Sequence, residues 1–202
     1  MKKVVITSAV RTPIGRLGGA LCDIQPEELT RVVIEAAIKR SFLAKDQIDE
    51  VIIGQTKQTT DAPNIARVAA LMAGIPESVP AYTVHRQCSS GLQSIINAVW
   101  QIQAGYADVA VAGGVESMSL APYYLRKARF GYQSGNGELI DPNTESQPKS
   151  QPEDIYGSFN MGLTAENLAE IYHIAREEQD SFACSSQHKA AAAIDSGRFK
   201  DE

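Results

Sequence analysis

One cysteine stands where chemistry is possible. Cys88 lies in the run Val84-His-Arg-Gln-Cys-Ser-Ser-Gly91, between a short β-branched stretch and an apolar stripe at helical spacing. Such a join puts a cysteine in the first turn of a helix, where backbone N–H groups and the positive end of the dipole favour a thiolate. Only the thiolate attacks, so the position suits a covalent nucleophile. Arg86 adds positive charge two residues upstream, and the N–H of Cys88 can help hold a developing oxyanion. Gly91 leaves room for a ligand or a neighbouring backbone. Free cysteines are more often inert packing, and Cys22 and Cys184 read that way.

The other reactive residue types form no second constellation. The three cysteines include no CxxC pair, and His85, His173 and His188 have no zinc-type spacing, so no metal is expected. The missing CxxC also counts against a thiol redox module, and an odd, scattered set argues against a disulfide framework. Glu116 follows Gly113-Gly114 and reads as a hydrogen-bonding carboxylate rather than a catalytic one. The glycine pair lacks the G-x-G-x-x-G spacing of a dinucleotide fingerprint. Arg126, Lys127 and Arg129 form a small basic cluster of the kind usually found on a solvated face.

The elements that must position Cys88 follow from periodicity. Residues 3–8 are β-branched and read as a buried strand. A helix is predicted over 26–40, with Leu29, Val32, Val33, Ala36 and Ala37 on its inner face. Strands are predicted at 49–54, 81–84 and 108–112, the last closed by Gly113-Gly114. Asn64 caps a helix with Ile65, Val68, Ala69 and Met72 inward, ended by Gly74 and Pro76. The helix after Cys88 runs to about 104, with Leu92, Ile95, Ile96 and Val99 inward. This alternation implies an α/β layered fold, a mixed sheet flanked by helices. Residues 129–158 are rich in Gly, Ser, Gln, Asn and Pro and read as irregular. Helices return at 164–172 and 176–196. Two regions are expected, an α/β core over 1–118 and a helical, loop-rich segment over 119–202.

The whole-chain numbers narrow the class. A chain of 202 residues with 44% hydrophobic and 21% charged residues can bury a sizeable core. A net charge of −5 gives no footprint for nucleic acid. No apolar run approaches a membrane span, and residues 1–8 lack the apolar length of a signal peptide, so a cytoplasmic location is expected.

Five collinear segments resemble the thiolase family of acyl-CoA enzymes. They are Ser8-Ala-Val-Arg-Thr-Pro-Ile-Gly15, Val84-His-Arg-Gln-Cys-Ser-Ser-Gly-Leu-Gln-Ser94, Gly113-Gly-Val-Glu-Ser-Met-Ser119, Met161-Gly-Leu-Thr-Ala-Glu-Asn-Leu-Ala169 and Arg176-Glu-Glu-Gln-Asp-Ser-Phe-Ala183. The resemblance implies an acyltransferase of the acetyl-CoA C-acetyltransferase type, acting in lipid metabolism, in which Cys88 takes the acyl group from acyl-CoA as a thioester. A second acyl-CoA then condenses with it to a 3-ketoacyl-CoA, or CoA cleaves in the reverse direction. Met161 would line the pantetheine path as a substrate-binding residue, and the 126–129 cluster could meet CoA phosphates. Coenzyme A thioesters would be substrates, with no separate cofactor, and the enzyme would be a homo-oligomer. The 161–169 run points away from the related ketoacyl synthases.

The chain also departs from the family pattern. His85 stands where such motifs usually have Asn, and Asn160 where many acetyl-transferring members have His. Asn160 and the Cys-Ser-Ser-Gly form leave a longer-chain 3-ketoacyl-CoA thiolase open. The family's second half, with its Gly-His-Pro histidine and Cys-x-Gly acid/base cysteine, has no counterpart in these 202 residues. A missing carboxy-terminal half would therefore have to complete catalysis. The alternative is that this chain acts as a non-catalytic folding or assembly unit.

Overall fold

The computed structural model describes residues 2–200, which divide into two compact units at Pro122 and Tyr123. The first unit holds α1 (Pro26–Ser41), β1 (Glu50–Gly54), α2 (Ile65–Met72), β2 (Ala81–Val84), α3 (Ser90–Ala104) and β3 (Ala110–Gly114). The three strands form a parallel sheet in the order β2-β1-β3. Parallel neighbours require crossovers, and the helices between the strands supply them.

Burial on both faces explains the central strand. Val51, Ile52 and Ile53 are all buried, as expected for a strand covered by helices on each side. Val51 and Ile53 join Ile34 and Ile38 of α1 and Ile65, Ala66 and Ala69 of α2 in the main apolar cluster. The side chain of Asn64 ties α2 to the sheet: Oδ1 accepts from Arg67 N–H at 3.2 Å and from the Thr83 hydroxyl at 2.9 Å. Its Nδ2 donates to the Ala81 carbonyl at 2.9 Å. At the start of β1, the Asp49 carboxylate accepts from the N–H groups of Asp108 and Val109 at 2.7 and 2.9 Å. These bonds fix the β1–β3 register and hold the Asp49 carboxyl below its ordinary range.

Five expectations are corrected. Residues 3–8 form no strand, and Val5 and Ile6 are 76% and 77% exposed. A β-branched run signals a preference for burial, but a strand also needs a ladder partner, and here the run only lines an apolar cavity of about 720 Å³ with α1, α3 and β3. In α1 the buried stripe is Pro26, Thr30, Ile34 and Ile38, one residue round from the expected face, while Val32 is exposed. In α3 the buried residues are Ser90, Gln93, Ser94 and Ala98, whereas Leu92 and Ile95 are exposed. Small residues let α3 approach the sheet closely, and that close approach outweighs the larger apolar side chains. Finally, β3 includes Gly113 and Gly114 rather than ending before them, because they pair with Ile53 and Gly54. Met72, expected inward on α2, is also exposed.

The second unit contains β4 (Tyr124–Leu125) and β5 (Leu139–Ile140), an antiparallel ribbon, then the single turns α4 (Pro142–Glu145) and α5 (Glu153–Tyr156). Two longer helices follow, α6 (Met161–Ile171) and α7 (Arg176–Asp195). Glu178 accepts from the Ala175 N–H at 3.1 Å and caps α7 at its start, and Gly197 takes φ +71° just beyond its end. Neither helix buries a residue, and Leu163, Leu168, Ile171 and Phe182 are exposed.

Candidate active site

The end of β2 feeds directly into the turn that carries Cys88. Gln87 adopts a left-handed conformation, φ +48°, which reverses the chain sharply between strand and helix. Cys88 follows it, exposed, and α3 begins two residues later. The turn is held from within: the N–H groups of Ser89 and Ser90 donate to the carbonyls of Arg86 and Gln87 at 3.1 and 3.0 Å. The two N–H groups after Cys88 are therefore committed to the turn itself.

Ser90 closes the turn from below. It is 4% exposed, and its hydroxyl accepts from the Arg86 N–H at 2.8 Å while donating to the Gln87 carbonyl at 2.6 Å. The turn rests on glycine. A Cβ on Gly54 would lie 2.3 Å from the carbonyl carbon of Ser90, and one on Gly114 would lie 3.0 Å from Gly91 Cα. The Ser94 hydroxyl, fully buried, lies 2.6 Å from the carbonyl oxygens of both Gly91 and Gly113, tying α3 to β3.

The neighbours of Cys88 take specific places. The Arg86 guanidinium donates to Gln93 Oε1; Gln93 Nε2 donates to Asn97 Oδ1 at 2.6 Å, and Asn97 donates to the Tyr82 hydroxyl at 3.1 Å. Arg86 thus braces α3 against β2 as well as carrying charge. The Nδ1 of His85 lies 3.4 Å from the Gln87 N–H, so the histidine at this position joins the turn's hydrogen bonding. Glu116 accepts from the N–H groups of Thr56 and Lys57 at 3.0 and 3.1 Å and from the Thr56 hydroxyl. Its carboxylate links the segments that follow β1 and β3, the hydrogen-bonding role read from sequence.

Met161 belongs to the second unit. It is the first residue of α6, 61% exposed, and its N–H donates to Gln147 Oε1 at 3.3 Å. Asn160 caps this helix, its Oδ1 accepting from Leu163 N–H at 2.9 Å, so the residue that departs from the family pattern does ordinary capping work. Cys184 and His188 lie 3.8 Å apart on exposed faces of α7. Among the described residues, no group of three or more His, Cys, Asp or Glu side chains could hold a metal ion. No helix among them is long and apolar enough to cross a membrane.

The sequence reading puts Cys88 at a strand-to-helix join, as the structure does, but does not single out Ser90, Gln93 or Gly54 around it. The sequence points to Gly91 as the glycine of close approach, yet a Cβ there would come no nearer than 3.8 Å to Gly114 Cα, and the tight contact belongs to Gly54. The pairing that brings Gly54 beneath α3 spans more than thirty residues and leaves no local signal.

The parallel sheet flanked by helices thus presents an exposed cysteine on the turn between β2 and α3. The sequence matches the Thiolase, N-terminal domain over residues 4–202, and the chain belongs to the thiolase family. It is 45% identical, over all 202 residues, to a probable acetyl-CoA acyltransferase of Staphylococcus aureus (strain N315), covering 50% of that protein. The same identity and coverage hold for an acetyl-CoA acetyltransferase of Pseudomonas aeruginosa. The crystal structure of the Bacillus anthracis acetyl-CoA acetyltransferase superposes with a TM-score of 0.91 at 49% identity, over 98% of this chain and 49% of that one. The chain thus spans about half the length of the relatives it matches.

Proposed function

We propose that this chain is the nucleophile-bearing half of a thiolase-type acyltransferase. Cys88 attacks the thioester carbonyl of an acyl-CoA. The new S–C bond forms as the bond to the CoA sulfur breaks, and the departing CoA thiolate takes up a proton. The resulting acyl-cysteine is then consumed by a second acyl-CoA in condensation, or regenerates acyl-CoA with free CoA in thiolysis. A thioester suits both steps because a thiolate is both a good nucleophile and a good leaving group. Met161 is the residue proposed to line the pantetheine arm.

The observation that carries this reading is the exposed Cys88 on a turn braced by Ser90, in a chain of this family. Proton transfer by a placed acid/base group contributes on the order of 10²–10⁴ in rate. Complete turnover therefore depends on the half of the relatives that this chain does not span. Incubation with acetyl-CoA, followed by peptide mass spectrometry, tests the proposal: one acetyl group is expected on Cys88 and none in Cys88→Ser. Acetylation confined to other residues would overturn it.

A second reading, a non-catalytic assembly unit, draws on the apolar residues that α6 and α7 leave exposed. It predicts self-association or pairing with a separate complementary half, with no acetyl transfer to Cys88. Thiolase turnover by this chain alone would remove it.

A further inference from the structure

We infer that Ser90 is a positioning residue for Cys88: its buried hydroxyl locks the left-handed turn that presents the thiol. The inference rests on the reading of Cys88 as nucleophile. Three observations converge on it. The hydroxyl is the side-chain bridge of the turn, accepting from the Arg86 N–H and donating to the Gln87 carbonyl, and so it ties the left-handed Gln87 to the residue before it, beside the backbone bonds from the Ser89 and Ser90 N–H groups. Gln87, at φ +48°, is a non-glycine residue in a conformation that needs local support. The backbone of Ser90 is itself immobilised, seated against Gly54 where no side chain fits. The serine is therefore a fixed post, and the Cys88 turn is tied to it.

Without the hydroxyl, the Arg86 N–H loses its acceptor and the Gln87 carbonyl loses a donor. Losing a buried partner is typically worth about a factor of ten in the local equilibrium. Gln87 can then relax toward negative φ, which moves Cys88 away from the start of α3. Ser89, by contrast, is exposed, and its side chain makes no cap hydrogen bond, so the two serines of the motif are not equivalent.

The test compares the wild-type chain with Ser90→Ala and Ser90→Thr. Iodoacetamide alkylation of Cys88 is followed at one pH by peptide mass spectrometry, with Cys184 of the same molecule as the reference. Exchange of the Arg86 amide is read by NMR. Ser90→Ala is expected to speed Arg86 exchange about tenfold and to lower the Cys88/Cys184 alkylation ratio about tenfold, and Ser90→Thr, which keeps the hydroxyl, to restore both. An unchanged ratio in a folded Ser90→Ala chain overturns the inference, as does an equal loss in Ser90→Thr. If Ser90→Ala fails to fold, Ser90→Thr decides: a wild-type ratio supports the lock and a tenfold loss refutes it. Acetyl-CoA takes no part here. A chain that passes this test but is never acetylated would sink the proposed function and leave the role of Ser90 intact.

Discussion

Gly54 and Ser90 meet backbone to backbone. A Cβ on Gly54 would fall 2.3 Å from the Ser90 carbonyl carbon, 2.5 Å from its oxygen and 2.6 Å from the Gly91 nitrogen. All three obstacles are backbone atoms, so no rotamer change can relieve the overlap. The last residue of the central strand is thus the seat on which the Cys88 helix begins.

Gly54→Ala should therefore be costly, about 2–4 kcal/mol, because either the start of α3 or the end of β1 must move. Gly91→Ala is the control. Its Cβ would meet only Gly114 Cα at 3.8 Å, an ordinary contact, and Ala favours helix. Urea titration should show a large loss for the first variant and none for the second. Equal stability of the two would mean that the Gly54 contact does not hold α3 in place.

Asn64 offers a second test of what holds the sheet and helices together. Its amide accepts from Arg67 N–H and the Thr83 hydroxyl and donates to the Ala81 carbonyl. Asn64→Ala removes a cap and leaves strand groups unpaired, with an expected loss of about 2 kcal/mol by denaturant unfolding. Asn64→Asp keeps both accepted bonds and loses only the donated one, so it should fall between the two.

The order of strands and helices was legible in the sequence because it rests on local signals: β-branched runs at β1 and β2, Asn64 as a cap, Pro26 at the first turn of α1. Cys88 was legible for the same reason, as a cysteine between a strand and a helical stripe. The faces were not. In α3 the sequence offers Leu92, Ile95 and Val99 as the apolar stripe, but contact with Gly54, Gly113 and Gly114 selects the side bearing Ser90, Ser94 and Ala98. Hydrophobicity measures what would like burial; which face approaches most closely depends on the surface opposite, and that surface is distant in sequence. The segment at 3–8 shows the same limit, since its apolar residues cannot report whether a strand partner exists.

Two adjacent carboxylates should respond oppositely to pH. Hydrogen bonds from Val109 and Asp108 lower the Asp49 pKa, so its contribution is present above the ordinary value of 3.8 and lost as pH falls through the lower folded value. Burial raises the Glu50 pKa, so the folded state is favoured when Glu50 is protonated and loses that advantage as pH rises through the raised value. At neutral pH, Asp49→Ala should destabilise by about 1 kcal/mol, a figure reduced for solvent exposure, and Glu50→Gln should stabilise slightly. Both differences should shrink toward acid pH, Glu50→Gln first. Thermal melts of the variants between pH 3 and 7, roughly spanning the carboxylate range, check the order.

Phe42 ends α1 in the left-handed region, φ +58°, ψ +20°, and the residue is 95% exposed. Its N–H reaches the Lys39 carbonyl at 3.4 Å, as the residue after a helix commonly does. Glycine suits this position better, since an L-side chain in that region costs roughly 1 kcal/mol. Part of the gain is offset by the greater freedom of glycine in the unfolded chain. Phe42→Gly should therefore stabilise a dilute, monomeric chain by about 0.5 kcal/mol, and Phe42→Val should destabilise it, because a β-branched residue tolerates this conformation least. The outcome also bears on why a phenylalanine stands there. If Phe42→Gly lowers the melting temperature, and does so more strongly at high protein concentration, the ring is buried by another copy of the chain. A concentration-independent gain instead leaves Phe42 as an exposed cap whose residue type the fold does not require.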